Sequence, residues 1–330
     1  MSKKSETCER EELIRPLTHL GGQKPPAPDW FEKAIATPSE EGAVEVAGAR
    51  IRYSVWGEEG QRGLLFVHGG RAHRNWWRPF APFFAENRRV AALDLSGMGD
   101  SDWRDSYSLD LLVDEVFAVI DKAGLATRGR PIVVGHSFGG WVTLAAVERD
   151  GDKLGGAVVV DSPLGVPDPH EGYNVIKKTP EEENQETKRS AHIYKTSEEM
   201  IARFRLLPNQ PAENLYLLDH IAREGLRPET MQDGSKGWTW KFDPVKGGRF
   251  EVHFERDLLR AARCPLAFIY GEKSKFAQGE GFQHLQEQAH GRSPFVVIPD
   301  AHHHLMMDQP LAFVSTLRTL LSAWPVRFGV

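Results

Sequence analysis

The sequence is poor in cysteine, has no long apolar run and carries no marked excess of either charge. Its 330 residues include two cysteines, Cys8 and Cys264. One lies near the N-terminus and the other stands beside Pro265, so no disulfide framework is suggested. Two such thiols favour a reduced, cytoplasmic protein.

Other absences narrow the class of protein further. No stretch approaches the roughly 20 consecutive apolar residues that a membrane-spanning helix requires. The first residues, Met1–Glu6, are polar, so no secretory signal is expected. A formal net charge of −5 gives no reason to expect nucleic-acid binding. With 40% hydrophobic and 26% charged residues, the composition is typical of a globular protein.

Short apolar runs alternate with segments of helical periodicity. The runs lie at residues 64–67, 90–93, 132–134, 157–160, 266–269 and 295–298. Continuous apolar strands that alternate with helices predict a mostly parallel, twisted sheet covered by helices on both faces. Alternating residues between Val44 and Val55, with a turn near Gly48, predict a hairpin ahead of this sheet.

The strand–helix alternation stops near Pro163 and resumes about 100 residues later. The intervening segment has a capping box, Thr196–Glu199, and a helical pattern from about Ala212 to Glu224. Its aromatic stretch Gly237–Phe242 is consistent with a short strand or a pocket wall. The predicted organisation is an N-terminal arm (1–40), an α/β core (41–162 and 263–330) and an inserted helical lid (163–262).

The clearest motif is Gly135-His136-Ser137-Phe138-Gly139, which follows an apolar strand and precedes a helix. This context predicts a sharp turn with Ser137 at its apex, where the two glycines let strand and helix approach closely. The turn also places the Phe138 N–H and the helix N-terminus where negative charge would develop during acyl transfer. Ser137 is therefore the candidate nucleophile.

Four stretches together resemble the α/β-hydrolase fold superfamily over residues 43–162 and 263–325. They are His68–Gly70, the Asp94–Ser101 loop, the serine turn and Pro299–Pro310. The resemblance implies an inserted lid in many members, and a catalytic histidine seven residues before the proline that opens the last helix. Here that residue is His303. It also implies an oxyanion hole formed by the backbone N–H groups of Gly70 and Phe138.

A serine hydroxyl needs a base within hydrogen-bond reach, and a neutral imidazole suits that role. Three consecutive histidines occur here, and only one of them can meet Ser137. The spacing to Pro310 favours His303 over His302 and His304, which would fill the loop or support it. Because adjacent residues rarely converge on one ion, a three-histidine metal site is disfavoured, and no metal or cofactor is expected.

The acid of the triad departs from the family pattern. The family usually has Gly-x-x-Asp after the strand at 266–269, and Ser274 stands in the place of that aspartate. We assign the acid to Asp161, which ends the strand after the serine turn, a place that some members of the superfamily use. Glu272 and Glu280 are the rivals, and a capping role is the alternative for Asp161.

The leading hypothesis is a serine hydrolase that cleaves a carboxylic ester, or a lactone or thioester, through an acyl-enzyme. Aromatic residues in the lid suggest an apolar or aromatic small-molecule substrate, and the lid is expected to be mobile and to cover Ser137. Family members with an aspartate nucleophile, the dehalogenases and epoxide hydrolases, are disfavoured by the serine. Alternatives are a serine-type carbon–carbon bond hydrolase and a non-catalytic ligand-binding receptor. The natural substrate and oligomeric state stay open.

Overall fold

The computed structural model describes residues 15–164, 167–168, 172–174, 192–231, 233–244, 253–254 and 258–324. The first 14 residues of the predicted arm, with Cys8, lie outside these ranges. So do residues 325–330 and several stretches of the predicted lid, of which 175–191 is the longest.

Strands and helices alternate along most of the described chain. The strands are β1 (Glu40–Val46), β2 (Ala49–Trp56), β3 (Arg62–Val67), β4 (Arg88–Leu93), β5 (Ile132–His136), β6 (Gly156–Val160), β7 (Pro167–Asp168), β8 (Gly172–Asn174), β9 (Leu226–Thr230), β10 (Lys236–Trp240), β11 (His253–Phe254), β12 (Leu266–Gly271) and β13 (Phe295–Ile298). The α-helices are α1 (Asp29–Ala36), α2 (Leu109–Lys122), α3 (Phe138–Asp150), α4 (Ser197–Ala202), α5 (Leu215–Glu224), α6 (Leu258–Ala261), α7 (Gly279–Ala289), α8 (Leu305–Asp308) and α9 (Pro310–Ser322). Among the residues described, no helix has the length and apolar character that crossing a membrane demands.

Eight of the strands form one sheet in the order β1-β2-β4-β3-β5-β6-β12-β13. Strand β2 pairs antiparallel with both of its neighbours, and every other pairing is parallel. The predicted hairpin is β1–β2, whose turn at Ala47 and Gly48 has positive φ angles of 45° and 78°. The mostly parallel sheet expected from the sequence is thus confirmed.

Apolar side chains fill both faces of the sheet. Along β3, Leu65 belongs to one buried cluster with residues of α2, α3 and α7, whereas Phe66 belongs to a second cluster with residues of α1 and α9. Adjacent residues of a strand point to opposite faces, so a strand that is covered on both sides needs an unbroken apolar run. This double burial explains the continuous runs seen in the sequence.

The segment between β6 and β12 contributes α4, α5 and the antiparallel pair β9–β10. Strand β8 pairs antiparallel with β7 and with β11 in a small separate sheet. Helix α5 begins at Leu215, three residues later than the pattern from Ala212 suggested. Asn214 has a non-helical conformation there, and its side-chain amide donates to the carbonyls of Met307 and Asp308.

Candidate active site

The turn between β5 and α3 holds Ser137 in an unusual backbone conformation, with φ 54° and ψ −120°. Such a conformation is costly for a residue with a Cβ, so the surroundings must enforce it. A Cβ on Gly135 would collide with the Gly139 carbonyl and the Thr143 hydroxyl, and one on Gly139 would lie 2.5 Å from the His68 carbonyl oxygen. Close strand–helix packing therefore depends on these two glycines and fixes the serine at the apex.

Ser137, His303 and Asp161 lie in one hydrogen-bonded line. The Nε2 atom of His303 is 3.0 Å from the Ser137 Oγ, and its Nδ1 atom is 2.9 Å from the Asp161 Oδ1. His303 is 2% exposed and Asp161 is fully buried. With the Nδ1–H donating to the carboxylate, Nε2 is left to accept the serine proton. The structure thus brings the three predicted residues together.

The Asp161 carboxylate is held by donors from β12 and the loop after it. The Gly271 N–H donates to Oδ2 at 2.8 Å, and the Ser274 hydroxyl donates to Oδ1 at 2.6 Å. Ser274, which occupies the usual position of the acid, therefore contacts the residue we assigned as the acid. The sequence showed the serine as a departure but did not reveal this contact, because it depends on the pairing of β6 with β12.

The two rival glutamates lie elsewhere. Glu272 is exposed, and its carboxylate accepts a hydrogen bond from the Asp300 N–H at 3.0 Å. Glu280 is exposed in the first turn of α7. Among the described residues, neither glutamate forms a hydrogen bond with His303. The geometry therefore favours Asp161 as the acid.

Burial shifts the pKa values of His303 and Asp161 in opposite directions. Desolvation lowers the pKa of His303, and the positive charge of Lys275 lowers it further, which favours the neutral imidazole that a general base needs. Desolvation raises the pKa of Asp161, whereas the hydrogen bonds from Gly271 and Ser274 lower it. Burial outweighs them, so the pKa of Asp161 is raised to about 7, and the two donors limit a rise that would otherwise favour the protonated carboxyl further.

The histidines on either side of His303 have other partners. The backbone N–H of His302 and its Nδ1 atom both contact the Asp308 carboxylate, at 2.7 and 3.0 Å. The Nε2 atom of His304 is 3.1 Å from the Leu207 carbonyl oxygen. Of the three consecutive histidines, only His303 meets Ser137.

A different histidine cluster has the spacing that a metal ion could use. Ring nitrogens of His136, His303 and His304 lie within 4.8 Å of one another. Both nitrogens of His303 already contact Ser137 and Asp161, and the His136 Nε2 is 3.0 Å from the His303 carbonyl oxygen. An ion at this cluster would therefore compete with the serine contact.

The loop after β3 approaches the start of α3 beside the serine. A Cβ placed on Gly70 would be 3.6 Å from the Phe138 Cβ. Phe138 is the first residue of α3, where backbone N–H groups have no acceptor within the helix. Within the described ranges, the N–H of Gly70 donates no hydrogen bond. The two backbone donors predicted for an oxyanion hole are thus neighbours, and their role stays a prediction.

His68 holds the base of this loop. Its Nδ1–H donates to the Gly69 carbonyl at 2.7 Å, and its Nε2 accepts the Leu95 N–H at 3.1 Å. Both ring nitrogens of His68 therefore hold the conformation of this loop.

Gly70 and His304 lie on the wall of a cavity of about 620 Å³, whereas their neighbours Ser137 and His303 do not line it. The core contributes Trp76 and His304 to its lining, and the segment between β6 and β12 contributes several aromatic residues, namely Tyr194, Phe204, Trp240 and Phe242. The stretch Gly237–Phe242 thus supplies both a strand and part of the pocket wall. Trp77, next to Trp76, lies outside this lining and stacks on the core residue Phe66 with the ring centres 4.7 Å apart.

Comparisons with known proteins agree with this architecture. A family model described as "Alpha/beta hydrolase family" matches residues 64–316. "Epoxide hydrolase 4" of Mus musculus is 32% identical over 102 residues, which are 30% of this chain and 28% of that protein. "Lipase LipV" of Mycobacterium tuberculosis (strain ATCC 25618 / H37Rv) is 33% identical over 106 residues, which are 32% of this chain and 39% of that protein.

These two sequence matches span well under half the length of the relatives. A structural match is more extensive: a hypothetical protein of Pseudomonas aeruginosa PAO1 superimposes with a TM-score of 0.66 at 20% identity. That match covers 87% of this chain and the whole of the other. At this identity the likeness concerns the fold alone.

Proposed function

The chain belongs to the alpha/beta hydrolase family, and on this premise we propose that it is a serine hydrolase that cleaves a carboxylic ester, or a related lactone or thioester. The observation that carries the proposal is the hydrogen-bonded line from Ser137 through His303 to Asp161. A serine held at a strained turn, a neutral base and a buried acid are the parts that nucleophilic acyl transfer requires.

In the proposed mechanism, the Ser137 Oγ attacks the carbonyl carbon while the His303 Nε2 takes the hydroxyl proton. Asp161 stabilises the imidazolium that forms, and the N–H groups of Gly70 and Phe138 stabilise the oxyanion. Collapse of the tetrahedral intermediate expels the alcohol, which receives the proton from His303. Water, activated by the same imidazole, then attacks the acyl-enzyme and releases the acid and Ser137.

The match to a relative named as an epoxide hydrolase does not change this proposal. Epoxide hydrolases resemble this chain but are expected to carry an aspartate nucleophile, and the corresponding position here is Ser137. A serine favours acyl transfer, because its hydroxyl is activated by the adjacent imidazole at 3.0 Å.

We propose that residues 163–262 act as a lid over the site and residues 1–40 as an arm. The support is that the described part of this lid, chiefly 192–244, supplies one wall of the cavity, while Gly70 and Trp76 of the core supply the other. The arm is anchored by Phe31, whose ring packs 5.0 Å from that of Tyr216 in α5. The aromatic wall supports an apolar or aromatic ester as substrate, and the low cysteine content supports a cytoplasmic location.

The test compares wild type with Ser137→Ala on a panel of short and long p-nitrophenyl esters, lactones and thioesters. Loss of the nucleophile should reduce kcat by orders of magnitude and leave the fold intact. A fluorophosphonate probe should label wild type and not the variant. Ser315→Ala, an exposed serine on α9, is the matched control and should react like wild type. Near-wild-type turnover by Ser137→Ala would refute the serine mechanism.

A further inference from the structure

The cavity beside Gly70 has an unusual charge balance. Five cationic residues line it, namely Arg15, Arg71, Arg203, Arg205 and Lys241. Among the described residues that line it, there is no aspartate or glutamate. The whole chain, in contrast, has a net charge of −5. Positive charge that is concentrated in one concave site, in a chain whose net charge is negative, favours the binding of a negatively charged ligand.

Two of these cations are partly neutralised by the protein itself. The Lys241 ammonium lies 2.8 Å from an Asp100 carboxylate oxygen, and the Arg203 guanidinium lies 3.5 Å from Glu199. Arg205 differs, because it forms no ion pair with any carboxylate of the described residues. Arg205 is also half-buried, so its charge is less screened by solvent than that of a surface arginine.

Aromatic rings hold two of the guanidinium groups in place. The Arg71 Cζ lies 5.3 Å from the centre of the Phe242 ring, and the Arg203 Cζ lies 5.9 Å from that of Tyr194. Contacts of this kind orient the planar guanidinium. The N–H edge of arginine matches the two oxygens of a carboxylate or phosphate.

We infer that the substrate carries an oxyanion group, a carboxylate or a phosphate, which the cationic side chains of this cavity bind while its ester carbonyl lies at Ser137. This inference rests on the proposed serine hydrolase function. Arg71 directly follows the predicted oxyanion donor Gly70, so the cationic wall starts beside the reacting carbonyl. The aromatic residues of the same cavity would contact the apolar part of the substrate that joins the two groups.

Two matched pairs of substrates test the inference and distinguish the source of the oxyanion. One pair is mono-p-nitrophenyl glutarate and its methyl ester, which differ in a carboxylate on the acyl side. The other is S-butyryl-4′-phosphopantetheine and S-butyrylpantetheine, which differ in one phosphate of the leaving group. At low ionic strength the anionic member of at least one pair should have a kcat/KM about tenfold higher, and added salt should reduce the preference. Equal or better turnover of both neutral members would overturn the inference.

Variants locate the effect in this cavity. Arg205→Gln and Arg203→Gln should each reduce the ratio of anionic to neutral kcat/KM, a ratio that is insensitive to the fraction of folded enzyme. Arg318→Gln, an exposed arginine on α9 outside the cavity, is the matched control and should keep the wild-type ratio. A preference that survives in both cavity variants would assign the oxyanion to another place and overturn the inference.

Calorimetric titration of Ser137→Ala with the same four compounds separates the two proposals. This variant cannot turn the esters over, so binding is measured directly. Tighter binding of an anionic member, together with no wild-type turnover of any compound, would support the anion site and contradict the ester hydrolase. If wild type turns over all four compounds, and neither binding nor kinetics shows a preference for the anionic members, the ester hydrolase is supported and the anion site is contradicted.

Discussion

The Ser274 hydroxyl donates a 2.6 Å hydrogen bond to the carboxylate of Asp161, the proposed acid, which directly follows β6. This bond lowers the pKa of Asp161 against the effect of burial. Because a hydrogen bond to a charged group contributes about 1.5–3 kcal/mol, Ser274→Ala should raise the pKa of Asp161 by about 1–2 units. More of the carboxyl is then protonated at pH 7, so kcat should fall there and recover as the pH rises.

The pH profile of kcat checks this prediction. Ser274→Thr keeps a hydroxyl at the same place and should restore the wild-type profile, whereas a merely structural role for Ser274 would lower kcat equally at every pH. Superimposable profiles for wild type and Ser274→Ala would show that the hydroxyl does not control the carboxylate.

Asp161→Asn should reduce kcat by about 10⁴, if the precedent of the serine proteases applies, because the imidazole loses its tautomer control and the charge that stabilises it. Glu272→Gln and Glu280→Gln are the matched controls, and both should stay active, since these exposed side chains make no hydrogen bond to His303 among the described contacts. Steady-state kinetics on one activated ester suffices. An active Asp161→Asn enzyme with an inactive glutamate variant would place the acid on the loop after β12.

The sheet and the serine–histidine pair could be predicted from the sequence because local patterns encode them. Buried strands need continuous apolar runs. The spacing from His303 to Pro310, which the family resemblance implied, lies within one short stretch of the chain. The start of α5 could not be predicted in this way. It depends on hydrogen bonds from Asn214 to the carbonyls of Met307 and Asp308, more than 90 residues away in the sequence.

The cluster of cationic residues in the cavity could not be predicted from the sequence either, because it also depends on residues that are far apart along the chain. Arg15, Arg71, Arg203 and Lys241 come from four separate stretches of the chain, and each looks like an ordinary surface residue in its own sequence context. Aromatic residues of the segment drew attention to an apolar pocket, whereas the charges became visible only when folding brought these stretches together.

His220 should make the protein sensitive to mild acid. Burial lowers the pKa of His220 to about 4, and its Nε2 is 3.1 Å from the Asn75 carbonyl oxygen. Above the ordinary pKa of about 6.5, the imidazole is neutral in both the folded and unfolded states. Below that pH the unfolded state takes up a proton that the folded state refuses, so stability is lost as the pH falls from 6.5 towards 4.

The measurement is the melting temperature of wild type and His220→Gln at pH 7 and at pH 4.5. Wild type should lose more stability on acidification than the variant, in which this proton uptake is absent. His290→Gln replaces an exposed histidine and should follow wild type. An equal decrease in melting temperature between pH 7 and pH 4.5 for all three proteins would contradict the predicted contribution of His220 to acid sensitivity.

A buried ion pair beneath the loop after β3 should matter more for stability than any surface pair. Asp94 is fully buried, and its carboxylate contacts the Arg74 guanidinium, which also lies 2.8 Å from Asp100. Removing one member of such a pair leaves an uncompensated buried charge, so Asp94→Ala should lower the free energy of unfolding by about 3–5 kcal/mol.

The control is Asp110→Ala, which removes a carboxylate that is 87% exposed and 3.8 Å from Arg149. Its free energy of unfolding should stay within about 0.5 kcal/mol of wild type. Urea denaturation of both variants measures the difference. Equal stabilities would mean that Arg74 regains its solvation without Asp94, through Asp100 or through water, and that the buried pair is not a main support of this loop.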